Sequence, residues 1–156
     1  MSNTAIVADA TLLIIHSASA NASRGSTLEI LSARIGQQGV TTNQQLGVIL
    51  GGKASAFGTY TSATPSPHYI GGVASGITGG TAGAAGTAGV DASAEGAGTV
   101  TPIIQDSFSC LNGWLWIPTP EERIILLPDT AIILKIVGTP GTLTGWSCDM
   151  TYREGA

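Results

Sequence analysis

The sequence predicts an all-β protein, an antiparallel β-sandwich of jelly-roll-like type, on three observations. Eight or nine short runs of β-forming residues recur along the 156 residues, divided by Gly, Pro and Asn turn signals at sandwich spacing. Two of these runs, 124–127 and 132–137, are apolar but for Lys135 in the second, and are expected to be buried on both faces or paired at an interface. Nowhere does apolar periodicity sustain a helix longer than a turn or two. The whole chain, 1–156, reads as one sandwich domain, long enough for a real core.

The first run is 11–16, after a polar start, and Asn21 to Gly25 reads as the turn that follows. Residues 27–35 alternate, with Leu28, Ile30 and Ser32 on one face and Glu29, Leu31 and Ala33 on the other, which favours a strand. Gly36, Gly39 and the pair Gln37-Gln38 end it. Further strands are expected at 46–50, 57–61 and, after the Pro65 and Pro67 break, around 68–73. The β pattern returns at 100–108. Asn112-Gly113 is a strong hairpin signal, and Trp114-Leu115-Trp116-Ile117 follows until Pro118 and Pro120 stop it. Pro120-Glu121-Glu122 suits the first turn of a short helix. The runs 123–127, 131–137 and 145–153 complete the set, with turns at Pro128-Asp129 and 138–141.

Between the two β blocks lies a long Gly/Ala-rich stretch, about 71–98, with ten glycines and eight alanines in 28 residues. Glycine loses the most backbone freedom on ordering and alanine returns little apolar area. The stretch is therefore expected to be a pliable loop held by neighbouring surface, another chain included. On that reading, deleting 76–89 leaves the thermal midpoint nearly unchanged and weakens attachment to a partner. The loop glycines Gly79, Gly80 and Gly83 are candidate interface residues, as are Ile6 and Val7 in an N-terminal arm, 2–10, suited to adding a strand to an exposed edge.

Composition narrows the function. Charged residues are 10% of the chain, hydrophobic residues 43%, and mean hydropathy is +0.31, a profile that fits a surface largely covered by partners. Six scattered cations and a net charge of −4 argue against nucleic-acid binding. No run reaches membrane-spanning length, and nothing in the N-terminal residues reads as an export signal. The sequon at Asn21-Ala22-Ser23 is then a coincidence. Cys110 and Cys148, 38 positions apart, are read as buried free thiols in a reducing cytoplasm.

No catalytic, metal or cofactor site is expected. Gly47 to Lys53 matches phosphate-loop spacing, but Ala54 replaces the magnesium-ligating hydroxyl and Val48-Ile49-Leu50 reads as strand. His16 and His68, the only histidines, have no second ligand at metal-binding spacing. Serines are abundant, but no Gly-x-Ser-x-Gly elbow exists. The adjacent acids Glu121 and Glu122 point apart. Trp114 and Trp116 share one strand face, read first as core or subunit interface and second as a sugar-stacking platform.

The layout resembles the small jelly-roll decoration, or cement, proteins on the heads of tailed bacteriophages. Three stretches carry the resemblance. They are the run 27–35 with its Gly-Gln turn; Thr61-Ser62-Ala63-Thr64-Pro65 leading to Gly71-Gly72 and a small-residue loop; and Asn112-Gly113-Trp114-Leu115-Trp116-Ile117-Pro118 with 124–127 and the closing strand to Arg153-Glu154. It spans most of the chain as a match of pattern. It implies a non-enzymatic structural protein made in the host cytoplasm and seated on the outer capsid surface. Its partners would be the major capsid protein and itself, as a trimer, with no nucleic acid, membrane or cofactor. The alternative is a phage tail or fibre module that binds host surface glycan through the tryptophan pair.

Overall fold

The computed structural model describes residues 10–38, 43–80, 83–94, 96–138 and 145–155. Eleven strands appear among them: β1 (Ala10–His16), β2 (Leu28–Gln37), β3 (Gln45–Lys53), β4 (Thr59–Ser62), β5 (Thr78–Gly79), β6 (Thr87–Ala94), β7 (Val100–Ser109), β8 (Trp114–Trp116), β9 (Ile124–Leu126), β10 (Ala131–Val137) and β11 (Trp146–Glu154). A single 3-10 turn, Pro120–Glu122, stands where proline followed by two acids predicts a helix start.

The strands form two sheets packed as a sandwich. The larger runs β4-β6-β1-β10-β3-β7, with β5 added parallel to β6; the smaller runs β11-β2-β8, with β9 also on β2. Every pair but β5–β6 is antiparallel. The predicted fold class is the one observed.

The main core fills the space between the sheets. Leu12, Ile15, Leu46, Val48, Leu50, Ile132, Leu134 and Ile136 face Leu28, Ile30, Ala33, Ile35, Trp114, Leu126 and Trp146. A second, smaller cluster covers the outer face of the large sheet, where Ile14, Tyr60, Ala131 and Ile133 pack with Phe57, Ala92 and Val100. This is why residues 131–134 of β10 are all apolar: they serve the two clusters alternately.

Three expectations need correction. First, β2 does not alternate throughout. Its pairing with β11 passes from Ser32↔Thr151 to Ile30↔Tyr152, so Leu31 is the extra residue of a bulge. Beyond it the inward face changes register, and Ala33 and Ile35 are buried while Arg34 is exposed. Second, residues 68–73 form no strand. Their centre is a turn in which the Gly72 amide donates to the Tyr69 carbonyl at 2.8 Å, with Gly71 at φ +79°.

Third, the Gly/Ala stretch is only partly loop, and its own chain holds it. β5 and β6 both lie within it, and β6 is flanked by β1 and β4 inside the large sheet. The small residues are there because the backbones come close. A Cβ on Gly89 would sit 2.6 Å from that of Tyr60, and one on Gly80 would sit 2.6 Å from that of Thr87. Deleting 76–89 would remove β5 and the part of β6 that pairs with Ile14, Ile15 and His16, so it is expected to unfold the sheet.

Candidate functional site

The phosphate-loop lookalike is strand. Gly47 to Lys53 lies in β3, with β10 on one side and β7 on the other, so its amides serve the ladders. His16 closes β1 and is buried in the outer layer. Its Nδ1 lies 2.6 Å from the Gly83 carbonyl, its ring meets that of Phe57 at a tilt of 48° with centroids 4.6 Å apart, and its Nε2 is buried without a hydrogen-bond partner. His68 is exposed on the loop after β4. Among the described residues, no three His, Cys, Asp or Glu side chains converge as metal ligands. No helix among them is long and apolar enough to cross a membrane.

The two cysteines are free thiols. Cys110 is buried and its sulfur accepts the Gln44 amide at 3.2 Å. Burial, with a contribution from the Asp91 charge, pushes the Cys148 thiol up to about 11. A thiol so far from ionising is a poor nucleophile.

The tryptophans face the core. Trp114 is 7% exposed and donates its Nε1–H to Asp106 Oδ2 at 3.1 Å, and Trp116 packs half-buried against the main cluster. The Ser107 amide first, then this indole, hold the Asp106 carboxyl below its usual range. The buried Trp114 ring is closed to a stacking sugar, and Trp116 is only half-exposed. Gly79, Gly80 and Gly83 pack within their own chain: Gly79 against Ser62, Gly80 against Thr87, and Gly83 against Phe57. Ile6 and Val7 lie outside the described residues.

What stands open is apolar surface, on part of the run 124–127 and on a loop that the sequence did not mark as an interface. One patch is a groove of about 240 Å³ along one side of the sandwich, lined by Gly52, Ile103, residues 124–127, Thr130, Ala131 and Ile132. β9 pairs only with β2, so the outer faces of Ile125 and Leu127 remain bare. Ile103 is the bulged residue of edge strand β7, where the pairing passes from Ile104↔Leu50 to Pro102↔Gly51. The bulge and the proline block addition of another strand at this edge. Toward the other end of β2, Leu111 and Leu115 are exposed beside a shallow hollow of about 490 Å³.

The other patch is the loop between β4 and β5, a finger with Tyr69, Ile70 and Val73 exposed at its tip. Both feet are fixed. The Ala63 amide donates to the Ala88 carbonyl at 3.1 Å. On the return, Arg24 donates to the Ala74 carbonyl at 3.1 Å, Ser75 Oγ meets Tyr152 Oη at 2.7 Å, and the Gly76 amide donates to Glu154 Oε1 at 2.8 Å. In the sequence, Pro65 and Pro67 mark a strand break and 68–73 reads as a further strand. That pattern could not show that the apolar residues of the run stand clear of the body.

Ion pairs concentrate on the small sheet. Glu29 meets Arg123 at 3.0 Å and also Arg153, and Arg34 meets Asp149 at 3.3 Å. Arg123, opposed by some desolvation and joined by Arg153, draws the Glu29 carboxyl below its ordinary range. No family model, no curated protein and no solved structure matches this chain.

Proposed function

We propose that the chain is a structural protein that binds the outside of an assembled phage capsid and stabilises it, acting as a trimer and transforming no molecule. One observation carries the reading: a charge-poor sandwich leaves large apolar side chains bare along one edge and on an anchored finger. Scattered exposed apolar residues are ordinary, whereas grouped ones mark docking surface. The pattern resemblance supplies the capsid as partner. A subunit that binds the assembled lattice and not its free parts stabilises the assembly by mass action.

The glycan-binding alternative rested on Trp114 and Trp116 as a platform, and the buried Trp114 indole removes that support. The capsid reading is tested by density-gradient fractionation of intact heads with an antibody to the chain. It should travel with heads in many copies and, added back to stripped heads, raise their thermal or osmotic disruption threshold. Recovery only with tails or in the soluble host fraction would overturn it.

A further inference from the structure

We propose that the finger of one copy docks into the β7–β9 groove of the next, so that copies associate head to tail. The tip residues Tyr69, Ile70 and Val73 are 82%, 107% and 74% exposed, so the tip is in open solvent and contacts almost nothing of its own chain. The groove residues Ile103, Ile125 and Leu127 are 54%, 52% and 62% exposed.

The two features are built on different strands, and in the small sheet β11 and β9 flank β2 on either side, two strand spacings or roughly 10 Å apart. The finger is rooted on β4, β6 and β11, whereas the groove is framed by β7 and β9. In the large sheet β4 and β7 are the two edges, five strand spacings or roughly 24 Å apart. One surface thus projects and the other recedes, and the exposed tip does not fill the groove of its own copy. A contact between them is heterologous, and it closes into a ring when the rotation per step permits.

Two arguments favour a second copy as occupant. The first is charge. No Asp, Glu, Lys or Arg occurs in finger residues 64–75, and none lines the groove, so docking strands no ion. The second is area. At roughly 100 Å² of apolar area per large aliphatic side chain, these six residues present on the order of 600 Å² of apolar surface. A specific interface buries about 1,200–2,000 Å² in total, so they would form its apolar centre and their flanks its rim.

The inference deepens the oligomer half of the proposed function and rests on that reading only there. It is tested on the purified full chain by sedimentation velocity. Wild type should self-associate. Ile70→Asp and Leu127→Asp, both at solvent-exposed positions, should each weaken association about 30-fold or more, as a hot-spot loss of 2 kcal/mol implies. Circular dichroism and melting of each variant should match the monomer fold.

The decisive step is mixing. Ile70→Asp keeps an intact groove and Leu127→Asp an intact finger, so the two together should form a one-to-one dimer and nothing larger. A monomeric wild type, an oligomer indifferent to either substitution, or a mixture that stays monomeric would overturn the proposal. Occupation of the groove by the N-terminal arm would appear as association restored by deleting residues 1–9, and would also overturn it. A monomer that still binds heads would sink this inference and leave the capsid reading standing.

Discussion

Replacing Gly89 with alanine tests whether β6 belongs to the sheet. An added Cβ would lie 2.6 Å from Tyr60 Cβ, 3.1 Å from the Gly80 carbonyl oxygen and 3.2 Å from that of Thr61. Carbon atoms pack comfortably at about 3.5–4.0 Å, so the methyl intrudes by roughly 1 Å. Tyr60 is buried in the outer cluster and the other two atoms are backbone, so nothing nearby yields cheaply. Overpacking of this kind costs about 1–3 kcal/mol. In a chain of this length each kcal/mol moves the melting midpoint by about 2–4 °C. Gly89→Ala should therefore lower it by roughly 3–10 °C in differential scanning calorimetry at fixed protein concentration. Gly52→Ala is the control: its Cβ would find only the Ala131 carbonyl oxygen, at 3.9 Å, and the midpoint should hold or rise slightly. Were 71–98 a free loop, Gly89→Ala would raise stability by about 0.4–1 kcal/mol by restricting the unfolded chain. A midpoint at or above wild type would refute the reasoning.

Glu29, drawn below its ordinary range by Arg123 and Arg153, adds stability that is present above the ordinary glutamate range. That contribution is lost as pH falls through the lowered folded value. Arg123→Gln should flatten the acid loss of urea-unfolding midpoint, and an unchanged pH profile would count against the pair. Neither thiol should react with a thiol-specific reagent in the native protein near neutral pH, because Cys110 is buried and Cys148 is raised to about 11. Both should react once it is denatured, and prompt native labelling of Cys148 would contradict the burial. Glu154→Ala removes the acceptor of the Gly76 amide and a partner of Ser75, so the Gly76 amide should exchange with solvent at least about tenfold faster. Unchanged protection would show that the finger's second foot is held by other contacts.

The fold was legible where side-chain pattern dominates. The runs that became β1, β3, β7, β10 and β11 carry β-branched or aromatic residues at pleat spacing, bounded by turn formers. It was illegible where backbone proximity dominates. β6 reads Thr-Ala-Gly-Val-Asp-Ala-Ser-Ala and offers little hydrophobic signal, because its neighbours β1 and β4 supply the large side chains. A glycine admitted for close approach looks, in a string of letters, like a glycine admitted for freedom. The bulges at Leu31 and Ile103 were invisible for a related reason: an extra residue shows only against its partner strand. The candidate surface was half visible. The apolar run 124–127 was expected to be buried on both faces or paired at an interface, but its position at a bare edge required the sheet order.

β9 and β10 share one signature, a run of consecutive apolar residues, and meet different fates. β10 lies between β1 and β3, with Tyr60, Phe57 and Val100 in the cluster that covers Ala131 and Ile133 on its outer face. β9 lies at an edge, with Leu126 turned inward and Ile125 turned to water. The chain therefore maintains apolar surface on β9 that folding does not use. Substitution separates the two roles. Ile133→Ala empties a fully buried site and should cost about 2–5 kcal/mol. Ile125→Ala should stay within about 0.5 kcal/mol of wild type when melted in the Ile70→Asp background, where association is already impaired. It should, however, weaken self-association of the otherwise wild-type chain. A large loss of monomer stability in Ile125→Ala would mean that this side chain belongs to the core, and the edge would then have no surplus apolar surface to explain.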